Sequence, residues 1–248
     1  MNVEESRSGN SLKGRKIIIA IDGPAGAGKS TIARHLARYF GLLNLETGAM
    51  YRAFALKALR EKVPLNSSTS LEALAQGTQI QLEPGADENR VLLDGEDVTR
   101  LIRNPLVTDA ASRVSVFPAI RAWMVRLQQQ VGSQGGVVME GRDIGTVVFP
   151  RAEVKIFLDA APEVRGQRRF EQLGQGGKAT EIQPQEVIRE LHARDERDRN
   201  RADSPLKPAQ DAVLLDSTNM SLEQAVAAAE AIVRDRLQVA GTSEIDRE

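Results

Sequence analysis

The sequence predicts an α/β protein in three layers: a mostly parallel sheet of five short strands, helices on both faces, and a small antiparallel sheet inserted into the series. Three observations carry that prediction. Five short apolar runs read as buried strands and alternate with helical stretches, at residues 16–22, 42–48, 135–143, 154–159 and 212–216. The first run is followed by a glycine loop and then by a helix, the order of a βα unit wound around a ligand. Between the second and third runs the texture changes. Gln79 to Glu83 alternates polar with apolar, residues 84–89 are turn-rich, and Val91 to Val98 reads as another strand and turn.

The first strand, Lys16 to Asp22, is a β-branched apolar run. Gly23-Pro24-Ala25-Gly26-Ala27-Gly28-Lys29-Ser30-Thr31 follows and fits the pattern G-x-x-x-x-G-K-[ST]. Glycines let the backbone approach a ligand closely, and successive N–H groups make a nest for phosphate oxygens at the positive end of the next helix. The residues Gly23 to Thr31 are therefore the candidate loop for a nucleoside triphosphate or a similar polyphosphate. Lys29 is placed to reach the β- and γ-phosphates, and Ser30 to hold Mg²⁺. In the next helix Ile32, Leu36 and Phe40 share one face, and Gly41 is a natural stop.

Leu42 to Gly48 reads as a short strand ending in a turn, and Ala49 to Arg60 as a helix with Met50, Phe54 and Leu56 on its apolar side. Arg52, one turn past the strand, either faces the same cleft as the phosphate loop or belongs to a solvated helix face. Ser70 to Ala75 reads as a short capped helix. Helices follow at 105–115 and 117–130; in the second, Ile120, Trp123, Met124 and Leu127 form a packing stripe. Gly141-Arg142-Asp143 ends the third core strand in a charged turn. Helices after Asp159 are broken by the glycine-rich stretch around Leu173 to Ala179. The next one ends in Arg194-Asp195-Glu196-Arg197-Asp198-Arg199-Asn200-Arg201, either a solvated face with internal ion pairs or part of a phosphate site. Ser221 to Gln224 opens the last helix with a capping pattern.

Composition narrows the functional classes. With 248 residues and 41% hydrophobic content the chain can bury a substantial core. Lys+Arg 33 against Asp+Glu 34 gives net charge −1, so no basic field for nucleic acid exists. Without cysteine there are no disulfides or thiolate metal sites. His35 and His192 lie inside helical patterns and read as structural. No run reaches membrane-spanning length. Residues 1–14 and 241–248 read as tails, and a cytoplasmic monomer is expected.

The phosphate loop together with several separate arginines suggests two phosphate-bearing ligands facing each other, with charge to be neutralised between them. The segments 21–31, 47–52 (Thr47-Gly48-Ala49-Met50-Tyr51-Arg52), 93–98, 141–150 (Gly141-Arg142-Asp143-Ile144-Gly145-Thr146-Val147-Val148-Phe149-Pro150), 155–160 and 194–201 resemble the bacterial cytidylate kinases, a family of nucleoside monophosphate kinases. The resemblance covers roughly Lys16 to Arg236. It implies transfer of the γ-phosphoryl group of ATP to CMP or dCMP with Mg²⁺. It also implies a core (15–48 and 135–240), a monophosphate-binding insertion (49–134) and a short lid (roughly 165–185). By resemblance, Ser112, Arg121 and Asp143 read the cytosine, and Arg194 and Asp198 contact the sugar. Arg52, Arg142 and Arg201 clamp the acceptor phosphate, and Thr47 and Tyr51 lie beside the nucleotide; for Tyr51, packing within its helix is an equal reading. Lys29, Arg142, Arg194 and Arg201 are the candidate catalytic groups. Glu46-Thr47-Gly48 stands where many relatives have Asp-Ser-Gly, and Glu140 where many have Asp; both changes keep the chemical class. A kinase for another small acceptor (AMP, UMP or shikimate) and a nucleotide-dependent switch are the alternatives, although the N-K-x-D segment of guanine-reading switches is absent.

Overall fold

A computed structural model describes residue 12 and residues 16–83, 89–175 and 184–245. β1 (Ile18–Asp22) is the central strand, buried in four of its five residues. At its end Gly23 has φ +149°, and a Cβ there would stand 1.9 Å from the Leu158 carbonyl oxygen, so only glycine lets the chain turn against its neighbouring strand. The loop then feeds α1 (Lys29–Phe40), whose Ile32, Ala33, Leu36, Ala37 and Phe40 are buried. Gly41, at φ 70°, ends the helix in a left-handed cap, its N–H donating to Ala37 O.

β2 (Leu43–Glu46) passes directly into α2 (Thr47–Arg60), with no turn between them. The turn that the sequence predicts at Gly48 and the helix start it predicts at Ala49 both fall inside the first turn of α2. The Thr47 hydroxyl donates to Glu140 O at 2.7 Å, and this anchors the first helical turn onto the neighbouring strand. α3 (Ser68–Gln76) also begins earlier than expected, because Ser67 rather than Ser70 is its cap and accepts from Ser70 N at 3.3 Å. The inserted antiparallel sheet comprises β3 (Ile80–Glu83), β4 (Arg90–Leu93) and β5 (Glu96–Asp97). The turn expected at 84–89 lies outside the described residues except for Asn89. α4 (Pro105–Val114) and α5 (Pro118–Gly132) follow, each with proline in its first turn.

β6 (Val137–Gly141) returns to the large sheet, and after a wide turn at Ile144–Val148 comes β7 (Val154–Asp159). α6 (Pro162–Gln175) and α7 (Pro184–Asn200) precede β8 (Val213–Asp216) and α8 (Leu222–Ile245). The sheet order is β2-β6-β1-β7-β8, with every pairing parallel. The α/β class with a five-stranded parallel sheet and an inserted antiparallel sheet is thus present as expected. α8 runs through Gly241 to Ile245 where the sequence suggested a tail; one glycine costs a helix only about 1 kcal/mol and does not end it. Of the expected tail at 1–14, Leu12 is described, and its N–H donates to Phe40 O at 2.7 Å. The centre of the expected lid, 176–183, lies outside the described residues.

The packing forms separate cores. One lies between the large sheet and α1 and α8, built on Ile19, Ile21, Leu36, Ile156 and Val233. Another joins α2–α5 to the small sheet through Phe54, Leu71, Val91, Ile120 and Met124. Trp123 meets Phe54 edge-on, with ring centroids 5.1 Å apart, and serves packing as expected. His35 is bound by Glu230 at 2.6 Å, a tie between α1 and α8. Among the described residues no helix is long and apolar enough to cross a membrane.

Candidate active site

Parallel pairing sets the carboxyl ends of the strands side by side: Asp22 lies opposite Gly141, and Glu46 opposite Glu140. The phosphate loop after β1, the start of α2 and the Arg142-Asp143 turn after β6 therefore share one edge, where ligands bind in sheets of this kind. α4, α5 and α7 close the other sides of a cleft there.

Thr47, Tyr51, Ser112, Arg121, Arg142, Asp143, Arg194, Asp198 and Arg201 all line this cleft. Arg121 and Asp143 form a buried ion pair, and Arg121 Nη1 also donates to Ser115 O at 3.4 Å. Beside them the Ser112 hydroxyl and the Tyr51 hydroxyl are buried without a partner. Burial pushes the Tyr51 phenol up to about 12, and the Arg121 guanidinium lies 5.9 Å from its ring centre. Arg142 Nε donates to Asp198 Oδ2 at 2.8 Å, and Arg201 Nη1 stands 3.6 Å from Asp198 Oδ1. Arg201 Nε is bound to Ser204 O at 2.7 Å, leaving its Nη2 without a partner. Arg194 Nε is also unpartnered, and burial together with the nearby Arg142 lowers its guanidinium to about 10. Four guanidiniums thus face two carboxylates across the cleft, an excess of positive charge that suits a phosphate.

The solvated reading of the 194–201 run holds only for part of it. Arg194, Asp198 and Arg201 fall at i, i+4 and i+7 and turn together into the cleft. Arg197 turns away to Asp109 at 3.3 Å, and Arg199 is exposed.

Arg52 pairs with Glu46 and lies next to Gly48, which lines the cleft. The strand-to-helix corner carries the Glu46 carboxylate to within reach of Arg52 in the second turn of α2. Burial pushes the Glu46 carboxyl up, but Arg52, with Arg103 and Arg34 further off, holds it below the usual range.

In the phosphate loop Lys29 is buried, and its Nζ folds back onto Pro24 O at 2.7 Å. Burial and the adjacent Arg142 lower its ammonium to about 7. Ser30 hydrogen-bonds Glu140, whose carboxyl is pushed up by burial and by Glu46 and whose Oε1 has no partner. Ala27 packs into the core below, so it offers the loop its backbone only; Thr31 is exposed.

Sequence reasoning missed three groups that hold this arrangement. Arg165 is 2% exposed; its Nη1 binds Asp195 Oδ2 at 2.6 Å and Ala25 O at 3.0 Å, tying the phosphate loop to α6 and α7. Asp195 was visible inside the charged run, but Arg165 carried no signal. Asp22 stands at the head of the loop motif and accepts from Ile144 N and Gly145 N. Burial raises its carboxyl to about 6, with the neighbouring Asp143 adding to the rise.

A carboxyl with a folded pKa above its unfolded value adds stability below the unfolded pKa and loses it as pH rises through the folded one. For Asp22 that window runs from about 4 to about 6. Relative to Asp22→Asn, the wild-type protein is expected to lose about 3 kcal/mol of stability across it, read from thermal or denaturant unfolding at pH 4 and pH 7. A constant difference between the two proteins would refute the raised value.

A glycine loop of this pattern on the same sheet edge as an arginine-lined cleft places the protein among the phosphate-loop kinases. More narrowly, the chain belongs to the cytidylate kinase family, whose model matches residues 19–235. It is 48% identical over 225 residues to the cytidylate kinase of Solibacter usitatus (strain Ellin6076), covering 91% of this chain and 95% of that one. It is 52% identical over 209 residues to that of Pelotomaculum thermopropionicum (strain DSM 13744 / JCM 10971 / SI), covering 84% and 92%. With the cytidylate kinase of Pasteurella multocida (strain Pm70) it shares 45% over 224 residues, 90% and 98% of the two chains.

Proposed function

We propose that the chain transfers the γ-phosphoryl group of ATP to CMP or dCMP, giving ADP and CDP or dCDP. The observation that carries this reading is the buried Arg121–Asp143 pair, set beside the unpartnered Ser112 hydroxyl in the cleft that the phosphate loop faces. Cytosine presents an N4 amino group, which a carboxylate accepts, and N3 and O2 acceptors, which a guanidinium satisfies. Uracil has a carbonyl in place of that amino group and meets Asp143 as a like partner.

Arg194 and Asp198 are assigned to the sugar, with Thr47 and Tyr51 beside the nucleotide. Arg142 and Arg201 hold the acceptor phosphate, and Arg52 joins them by exchanging Glu46 for phosphate oxygens. The attacking oxygen of the acceptor is already anionic, so no general base is required. The bond from the γ-phosphorus to the ADP oxygen breaks as the bond to the CMP phosphate oxygen forms. Lys29, Arg142, Arg194 and Arg201 neutralise the charge spread over the moving group.

The oxygen donors at the loop suit Mg²⁺: Ser30 would hold it directly, and the unpartnered Glu140 Oε1 stands behind Ser30. Among the described residues no three acidic or histidine side chains gather at one place. Bound there, Mg²⁺ supplies positive charge to the β- and γ-phosphate oxygens. We assign residues 15–48 and 135–240 to the core, 49–134 to acceptor binding and 165–185 to a lid, in a cytoplasmic monomer that takes neither nucleic acid nor a membrane.

ADP release measured with ATP and Mg²⁺ against CMP, dCMP, UMP, AMP and GMP tests the reading. Fast turnover confined to CMP and dCMP is expected. Preference for another acceptor would overturn the roles of Ser112, Arg121 and Asp143.

A further inference from the structure

Asp22 ends β1 in register with Gly141, the last residue of β6. Its side chain crosses that register into the turn that follows β6. Oδ1 accepts from Ile144 N and Oδ2 from Gly145 N, both at 2.8 Å. The same turn is closed from within by the Asp143 carbonyl, which accepts from Val147 N at 2.9 Å and Val148 N at 3.2 Å. The backbone on the C-terminal side of Asp143 is thus held at its carbonyl by the turn itself and at the next two amides by Asp22.

The turn also has little room to slide. A Cβ on Gly145 would stand 3.1 Å from Lys155 Cδ and 3.4 Å from Asp22 Oδ2. Lys155 is itself fixed, with Nζ bound to Pro150 O at 2.5 Å and to both Asp211 oxygens at 2.8 and 2.9 Å. A carboxylate is required at Asp22 because two N–H donors point at it, and an amide of the same shape offers one oxygen only.

We propose that Asp22 is a positioning residue for acceptor selectivity: it ties the turn carrying Arg142 and Asp143 to the strand that feeds the phosphate loop, and so sets where the base reader stands relative to the transferred phosphate. The inference rests on Asp143 as the cytosine reader. Asp22 does not line the cleft and acts through the turn. The charged groups facing it are Asp143 and Lys29. Maintaining a buried charge there, 5% exposed, lowers stability near neutral pH, so its retention is explained by placement of the turn rather than by strength of the fold.

The test is the ratio of kcat/KM for CMP to that for UMP in the wild type, Asp22→Asn, Gly145→Ala and Asp143→Ala. Removing the Asp22 charge changes the field at Lys29 equally for both acceptors, and that effect cancels in the ratio. Displacement of the turn does not cancel. Asp22→Asn is expected to lower the ratio roughly tenfold, the scale of one lost hydrogen bond to a charged group. Gly145→Ala pushes the same turn against Lys155 without changing any charge, and is expected to lower the ratio too; it decides the matter if Asp22→Asn does not fold. An unchanged ratio in both variants, with Asp143→Ala lowering it, overturns the role of Asp22 alone. An unchanged ratio in Asp143→Ala as well overturns the cytosine reader and this inference with it.

Discussion

Replacing Lys29 by alanine is expected to lower kcat about a thousandfold or more while leaving the fold intact. The fold survives because the ammonium contributes one hydrogen bond, to Pro24 O, and its removal relieves a buried charge rather than stranding one. The rate falls because the ammonium lies in the loop proposed to take the β- and γ-phosphates, out of water, where a fixed positive charge is worth far more than in solvent. Burial first, and then the nearby Arg142 and Arg194, lower its pKa to about 7 against the opposing pull of Glu140 and Asp22. Polyphosphate bound in that loop reverses the balance and keeps Lys29 charged. The same coupled ADP-release assay reads the rate, and thermal unfolding reads the fold. Undiminished kcat would remove Lys29 from the transfer step, and a collapsed melting transition would reassign it to structure.

What could be read in the sequence was local. The loop Gly23 to Thr31 has its strand before it and its helix after it within a few residues, so motif and context fit in one window. The period-2 alternation at Gln79 to Glu83 likewise separated the small sheet from the large one, since a strand buried on one face alternates and a strand buried on both does not. Boundaries set by contacts distant in sequence were not legible. α2 starts at Thr47 because of a carbonyl 93 positions away. Charged side chains posed the same problem. The i, i+4, i+7 spacing of Arg194, Asp198 and Arg201 marks a shared helix face, but nothing in the run shows that Asp195 turns the other way, to an arginine on α6. Arg52 illustrates the limit of placement by motif: Glu46, six positions before it, is a partner across a strand-to-helix corner, a geometry that helical spacing does not describe. Arg165 meets Ala25 across 140 positions and could be found only once the strands were stacked.

Asp143→Ala is the substitution expected to move acceptor choice furthest. The wild-type carboxylate has one face on Arg121 and is otherwise aimed into the cleft, so removal does two things. It takes away the acceptor for the cytosine amino group, which costs CMP about 1–3 kcal/mol of recognition. It also leaves the Arg121 guanidinium buried with only the distant Ser115 carbonyl, and a stranded buried charge costs about 3–5 kcal/mol. The Arg121 donor that met Asp143 then needs a new acceptor, and the O4 carbonyl of uracil is one, whereas the N4 amino group of cytosine is not. kcat/KM for CMP is accordingly expected to fall by a factor of about 10² or more, and that for UMP to fall far less or to rise. The two changes oppose each other because the same cavity is being offered to a donor or to an acceptor at one ring position. Steady-state kinetics with both nucleotides at saturating ATP measure this directly. Equal losses for CMP and UMP would mean that Asp143 supports the cleft without reading the base, and recognition would then have to come from Ser112 and the backbone around it.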